Sequence, residues 1–274
     1  MASLQLSRPL AITSVTYHPF GLDEALAGIG GAGFTHVELV SIDGHCSHYP
    51  IDPDDDNAQS IQAALDRHGL TLSAIGAGTG LATARGIEQA KRAVELAPKL
   101  GINIIVNSIA GPAGHDEDLD GFYHHVGAAL EHARLHDVII ALELHGNHTG
   151  NGRAMLNVIS KINHPNLKIN YDTANCMLHG GEWPYEDLQA VLPHVVNLHL
   201  KDKIGGKGVW NLPPIGLGEI DFERVFNMLD DGGYRGSMSI EIEFDDAGVP
   251  PLPQVNEAAA LSYRNAMQLI EARA

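Results

Sequence analysis

The chain has 274 residues, and its 34 acidic side chains outnumber 17 Lys and Arg, which gives a formal net charge of −17. Since 44% of the residues are apolar, the chain can bury a hydrophobic core, and a disordered segment or a disulfide-built miniprotein is excluded. The acidity disfavours a nucleic-acid partner, because binding to a phosphate backbone depends on Lys and Arg.

The sequence shows no sign of a membrane-spanning or exported segment. No apolar run approaches the roughly 18 residues that a membrane-spanning helix needs. The N-terminal residues lack the charged and apolar regions of a secretory signal. Two cysteines, Cys46 and Cys176, are too few for a disulfide framework. We therefore expect a cytoplasmic protein with no membrane partner.

Short apolar runs alternate with longer amphipathic runs along the chain. The apolar runs are rich in Val, Ile and Leu, and several lack polar alternation, which is typical of parallel strands covered by helices. Predicted strands cover residues 10–15, 35–40, 70–76, 102–108, 138–144, 167–172, 195–200 and 238–244. Predicted helices cover residues 22–33, 57–69, 86–101, 118–136, 152–162, 185–192, 221–233 and 256–274.

This alternation predicts one domain, residues 1–274, folded as an α/β protein with a closed (β/α)8 TIM barrel. An open doubly wound sheet is the alternative, but its glycine fingerprint is missing after the first strand. Two segments that follow strands, 43–57 and 202–219, are longer than ordinary connections. Because loops after barrel strands surround the active site, these segments are candidate walls of a binding site.

Acidic residues and a histidine stand at the ends of four consecutive predicted strands. They are Glu143, Asp172, His199 and Glu241, each in an otherwise apolar run. Three carboxylates brought together would repel each other, and a divalent cation would remove that repulsion. Three carboxylates and one imidazole suit Mn²⁺ or Mg²⁺, with Co²⁺ or Zn²⁺ as alternatives. Glu243 shares a face with Glu241 and is the rival fourth ligand.

The segments around these residues resemble the sugar isomerase/epimerase superfamily with the xylose-isomerase-like barrel. They are ALELHGN (141–147), NYDTANCMLHGG (170–181), NLHLKD (197–202), PIGLGEIDF (214–222) and GYRGSMSIEIE (233–243). The resemblance implies a metal site at Glu143, Asp172, His199 and Glu241, with Mn²⁺ as the expected ion. It also implies that Glu143 and Glu241 exchange a proton with a ketose or keto-sugar. Because the sequence shows no Arg-rich or P-loop-like phosphate-binding segment, a non-phosphorylated substrate is expected. Dimers and tetramers are frequent in this family, so a homo-oligomer is expected.

Further residues are candidates for contacting the sugar. Asn175 and His145 lie beside ligands, and the alternative for both is a hydrogen bond that orients a ligand. For Lys201 the alternative is an ion pair with a carboxylate of the ring. The candidates are His45, His145, Asn175, Lys201 and Trp210, with His48 as a further loop histidine. The histidines of the fourth predicted helix are interpreted as outer surface or packing residues: His124, His125, His132 and His136.

Two positions depart from the pattern of tagatose-type ketose 3-epimerases. Thr149 stands where those enzymes have a Glu, and Asn175 stands where they have a His. The sequence around Glu143 and Asp172 is more similar to that of inosose-dehydratase-type enzymes. A dehydratase, or a 3-keto-glycoside lyase or hydrolase with the same chemistry, is therefore the alternative function. An apurinic-endonuclease-like phosphodiesterase and a non-catalytic barrel are less favoured.

Overall fold

The computed structural model describes residues 9–109, 118–244 and 248–273, apart from the side chain of Asp55. Within these residues, eight parallel strands alternate with eight α-helices. The strands are β1 (Leu10–Thr13), β2 (His36–Ile42), β3 (Thr71–Gly78), β4 (Ile104–Asn107), β5 (Ile139–Glu143), β6 (Leu167–Asp172), β7 (Val195–Leu200) and β8 (Ser237–Ile240). The helices are α1 (Leu22–Ala32), α2 (Asp55–His68), α3 (Ala84–Lys99), α4 (Leu119–Leu135), α5 (Gly152–Ile162), α6 (Pro184–Val191), α7 (Phe222–Asp231) and α8 (Leu252–Glu271).

The sheet closes on itself. Each strand pairs in parallel with the next, and β1 pairs with both β2 and β8, where Ile12 lies opposite Val37 and Ile240. This closure confirms the predicted (β/α)8 barrel and shows that the alternative of an open doubly wound sheet is wrong.

The helices start where a side chain can accept the first free backbone N–H groups. Thr83 caps α3 by accepting from Gly86 N, and Asn151 caps α5 by accepting from Ala154 N. Buried residues recur three or four positions apart on α3, for example Ala90 and Val94, so this face packs on the barrel. None of the described helices combines the length and apolar composition needed to cross a bilayer.

The predicted strands at the two ends of the chain are too long. Residues 14–17 form a 3-10 turn, and the eighth strand ends at Ile240 rather than at residue 244. Beyond it, the backbone N–H of Ile242 donates to Thr16 Oγ1. Glu243 then forms an isolated antiparallel bridge with Leu212. The apolar pattern beyond the two strand ends therefore reflects packing at the mouth of the barrel and does not reflect an extension of the sheet.

Two structured loops were not predicted. Cys46–Ser47 form a short strand antiparallel to the end of β2, inside the long segment 43–57. After β6 the chain passes through a helical turn at Thr173–Asn175 and a π-helical turn at Cys176–Gly180. π-Helical turns are uncommon and often lie next to functional sites.

Candidate active site

The four predicted metal ligands converge at the C-terminal end of the barrel. Asp172 is in register with His199 on the neighbouring strand, and side chains at alternate positions face the barrel interior. His199 Nδ1 lies 2.7 Å from a Glu241 oxygen and 3.2 Å from a Glu143 oxygen. One donor atom from each of the four residues lies within 4.8 Å of the others. The fold therefore assembles three carboxylates and one imidazole around one point.

Burial and neighbouring charges act in opposite directions on these carboxylates. Burial raises the pKa of Asp172 to about 7, against the lowering effect of the Lys201 ammonium. Burial alone would also raise the pKa of Glu241, but Lys201 and His199 beside it lower the value to about 2. The ionisation of each carboxylate therefore depends on the charges of its neighbours, above all on Lys201 and His199.

Lys201 supplies positive charge inside the cluster. Its Nζ lies 2.9 Å from Asp172 Oδ2, 2.9 Å from Glu241 Oε1 and 2.6 Å from Glu243 Oε1. The side chain is only 1% exposed, and these carboxylates hold its pKa well above the ordinary value despite the opposing effect of burial. The geometry is that of the ion-pair alternative, and a contact between Lys201 and substrate stays a prediction.

The donor set fits a divalent metal ion. Asp172 Oδ1 accepts from the backbone N–H groups of Ala174 and Asn175, both at 2.8 Å, which fixes the carboxylate in place. Its buried Oδ2 points to the cluster, where its one close polar contact among the described residues is the ion pair with Lys201 Nζ at 2.9 Å. Oxygen-rich sets with one imidazole suit Mn²⁺ and Mg²⁺. Glu243 lies outside the four-donor group, so the geometry favours Glu241 as the fourth donor.

A cavity of about 270 Å³ opens over the cluster. Four of the five predicted substrate-contacting residues line it, namely His45, His145, Asn175 and Trp210, whereas Lys201 is not among its lining residues. The sequence did not single out Thr13, Asn107, Ser108 or His179, which also line it. Their signal was a polar residue near the end of a predicted strand or in a loop that follows one.

The cavity walls are built from paired rings and hydrogen-bonded loops. His45 stacks on His18 with ring centroids 4.1 Å apart, and His145 packs against His179 at 4.5 Å. Trp210 Nε1 donates to the Phe244 carbonyl at 3.4 Å, which joins the segment 202–219 to the end of the barrel. The two long segments that follow strands therefore both contribute walls, as their length predicted.

Asn175 and His48 show how local bonding changes the expected roles. Asn175 Nδ2 donates to the Leu144 carbonyl at 2.8 Å and lies 3.4 Å from Glu143 Oε1, so its amide orients this ligand as well as facing the cavity.

His48 is not among the cavity-lining residues. Its ring nitrogens contact Ser14 Oγ and the Phe20 carbonyl, and burial lowers its pKa. His48 therefore packs inside the loop, and this burial differs from the exposed position that is ordinary for a loop histidine.

The model of the xylose isomerase-like TIM barrel family matches residues 29–266. The chain belongs to this family. It is 29% identical over 179 residues to L-ribulose-5-phosphate 3-epimerase UlaE from Salmonella typhi, a match that covers 61% of this chain and 59% of the relative. The match thus spans less than two thirds of the length of this curated relative.

Solved structures share the whole barrel at low sequence identity. A xylose isomerase-like TIM barrel protein from Mycobacterium smegmatis in complex with magnesium is 16% identical, with a TM-score of 0.78 and 97% of each chain covered. D-allulose 3-epimerase from Methylomonas sp. in complex with D-allulose is 17% identical, with a TM-score of 0.72 and 98% of each chain covered. These neighbours show the family fold, and the epimerases among the relatives support the prediction that this chain is an enzyme.

One buried residue beside the site, Glu38, was not predicted from the sequence. Glu38 lies in the middle of β2, is fully buried and contacts His199 Nε2 through Oε1 at 3.0 Å. Functional residues of a barrel are expected at strand ends, whereas Glu38 lies four positions before the end of its strand. The available signal was a carboxylate inside the apolar run THVELV, since such a group is costly to bury without partners.

A second group of metal-compatible donors lies on the outer helices of the barrel. His132 Nε2 is 2.9 Å from Glu95 Oε1, and the rings of His132 and His136 are 4.8 Å apart. This arrangement joins α3 to α4 and agrees with the interpretation of these histidines as surface and packing residues.

Proposed function

We propose that this chain is a divalent-metal-dependent isomerase or epimerase of a small, non-phosphorylated ketose or keto-sugar. The observation that carries the proposal is the convergence of Glu143, Asp172, His199 Nδ1 and Glu241 beside a cavity of about 270 Å³. Family membership and the epimerases among the relatives support it. Mn²⁺ is the ion we expect in this oxygen-rich site.

The cavity supports a neutral sugar as substrate. Its volume is small, and among the described residues that line it none is Lys or Arg. A phosphate group would therefore meet no cationic side chain there, although backbone N–H groups can also bind phosphate. The curated relative acts, by its name, on a phosphorylated ketose. A phosphorylated ketose therefore belongs in the experiment as the competing substrate.

The chain's own residues supply the proton transfers. Glu143 and Glu241 both line the cavity and lie at or just beyond the ends of different strands, so one carboxylate can accept the proton next to the substrate carbonyl and the other can return it. A divalent cation held by Glu143, Asp172, His199 and Glu241 would stabilise the negative charge that builds on the substrate oxygens. Return to the opposite face of the same carbon gives epimerisation, and return to the neighbouring carbon gives isomerisation.

The test incubates the purified protein and Mn²⁺ with a panel of ketoses, keto-sugars and one ketose phosphate in D₂O. Proton NMR then reports loss of the signal from the exchanged carbon, whatever the product. We expect exchange into at least one neutral sugar. Exchange confined to the phosphorylated ketose would contradict the substrate class, and absence of bound metal by elemental analysis would contradict the proposed function.

The roles of the two glutamates are tested by Glu143→Gln and Glu241→Gln. Each change removes the group that accepts a proton and one anionic donor, and we expect the exchange rate to fall by at least about 100-fold. Glu257→Gln on the exposed side of α8 makes the same chemical change away from the site and serves as the matched control. Full activity in either site variant would contradict the assignment.

Elimination is the second candidate activity at the same site. Asn175 stands where tagatose-type epimerases have a His, and its amide is engaged by Leu144 and Glu143. This departure favours a dehydratase, or a 3-keto-glycoside lyase or hydrolase, which would begin with the same proton removal. Product analysis distinguishes the two, because elimination releases water or an alcohol whereas epimerisation conserves the formula of the sugar.

A further inference from the structure

Glu38 lies on the opposite side of the His199 ring from the candidate metal site. Its Oε1 is 3.0 Å from His199 Nε2, and the other ring nitrogen, Nδ1, faces Glu241 and Glu143. We propose that Glu38 is a positioning residue that fixes the His199 ring so that Nδ1 is presented to the metal. This inference rests on the proposed metal-dependent function.

The chemistry of the two groups supports this role. A carboxylate only accepts hydrogen bonds, so Glu38 favours the imidazole form that carries a hydrogen on Nε2. The lone pair of a neutral ring then lies on Nδ1, which is the nitrogen that faces the other donors. Metal-binding histidines commonly donate their second N–H to a carboxylate in this way, and the contact fixes both the tautomer and the ring orientation.

The other oxygen of Glu38 is held across the barrel. Oε2 accepts from Ser239 Oγ at 2.7 Å and from Asn197 Nδ2 at 3.0 Å, so β2 is joined to both β7 and β8. Both oxygens are therefore engaged by described residues, and Glu38 lies outside the group of four convergent donors. This arrangement suits a residue that orients a ligand rather than a fifth ligand.

A purely structural role is the competing explanation, because the same contacts join three strands. Ser239→Ala separates the two explanations, since it removes one hydrogen bond from Glu38 but leaves the contact with His199. Glu38→Gln keeps the shape of the side chain and removes its charge, and Glu38→Ala removes the contact altogether. Thermal unfolding of all three variants reports the structural contribution.

The first readout is Mn²⁺ affinity, measured by calorimetry on folded protein that has been stripped of metal. We expect Glu38→Gln and Glu38→Ala to weaken binding by about 10- to 100-fold, the range typical for partners of metal-binding histidines. Ser239→Ala should bind Mn²⁺ about as tightly as the original protein. Equal affinity in all variants, or an equal loss in Ser239→Ala, would overturn the inference.

The second readout needs no substitution. In protein loaded with diamagnetic Mg²⁺ or Zn²⁺, ¹⁵N NMR of the imidazoles should show His199 with a hydrogen retained on Nε2 and the metal on Nδ1. Coordination through Nε2 would overturn the inference even if the Glu38 variants fail to fold. If the original protein binds no divalent ion, the proposed function fails, whereas binding that ignores Glu38 contradicts this inference alone.

Discussion

Replacing Asp202 with alanine should detach the long loop that follows β7 from the barrel. Asp202 is fully buried, and its carboxylate accepts four backbone N–H groups from that loop. Oδ1 accepts from Lys203 at 2.8 Å and from Ile220 at 3.2 Å. Oδ2 accepts from Gly216 at 2.9 Å and from Gly218 at 2.8 Å. Asp202 thus contributes four of the hydrogen bonds that hold the loop, which also carries Trp210 to the cavity wall.

The number of bonds sets the magnitude of the effect. A buried donor left without an acceptor costs about 1–3 kcal/mol, so the two buried donors, Lys203 N and Ile220 N, cost about 4 kcal/mol together at the middle of that range. Asp221→Ala is the matched control, because Asp221 is exposed and caps α7 through one bond, from Arg224 N at 3.0 Å. Loss of such a cap costs about 1 kcal/mol. We therefore expect the Asp202 variant to lose about 3 kcal/mol more.

The assay is urea unfolding, followed by circular dichroism and by tryptophan fluorescence so that agreement of the two probes tests for a single transition. Limited proteolysis of the folded protein locates the detached segment, and we expect new cleavage between residues 203 and 219 in Asp202→Ala alone. Equal losses of unfolding free energy in the two alanine variants, to within about 0.5 kcal/mol, would contradict this role of Asp202.

Further predictions concern charge, packing and binding. Lys201→Met should lower the melting temperature more in metal-free than in Mn²⁺-loaded protein, because three carboxylates within 3 Å lose the ammonium group beside them. An equal decrease of the melting temperature in both forms, measured by calorimetry, would contradict this. Gly127 is an exposed position of α4, and a Cβ added there would meet nothing within 4 Å. Gly127→Ala should therefore raise the free energy of unfolding in urea by about 0.5–1 kcal/mol. Gly86→Ala should lower it, because its Cβ would lie 1.9 Å from a backbone carbonyl oxygen; the reverse order would be inconsistent with this packing. Sugar binding should change the fluorescence of Trp210, so the signal should disappear in Trp210→Phe and persist in Trp183→Phe; its persistence in the first variant would argue against this wall.

Hydrophobic periodicity predicted the barrel because parallel strands and their covering helices leave different patterns. The predicted strand ends were wrong where a residue is buried without being paired in the sheet. Ile242 is buried at the barrel mouth, so the apolar pattern continues past the last residue of β8, although its backbone N–H bonds to Thr16 rather than to a strand. Apolar pattern reports burial, and hydrogen-bond partners between distant segments decide where a strand ends.

The same distinction explains which parts of the site were predictable. Glu143, Asp172 and Glu241 were found because the end of a barrel strand is a position that the sequence marks. Glu38 and His199 are 161 positions apart, and their contact is made across the barrel interior. The sequence does not mark this contact, because it depends on how the strands are arranged around the ring.

The balance of charge around the barrel end gives an independent argument for a divalent ion. Three buried carboxylates and two partly buried ones surround two side chains that can be cationic, Lys201 and His199. With every group charged, the cluster would carry an excess of three negative charges, and burial already drives the pKa of Asp172 up to about 7. Lys201 compensates part of this charge through its contacts with Asp172, Glu241 and Glu243. A divalent cation would supply most of the remainder, which is why metal binding should stabilise the fold as well as the chemistry. The carboxylates are Glu38, Glu143, Asp172, Glu241 and Glu243.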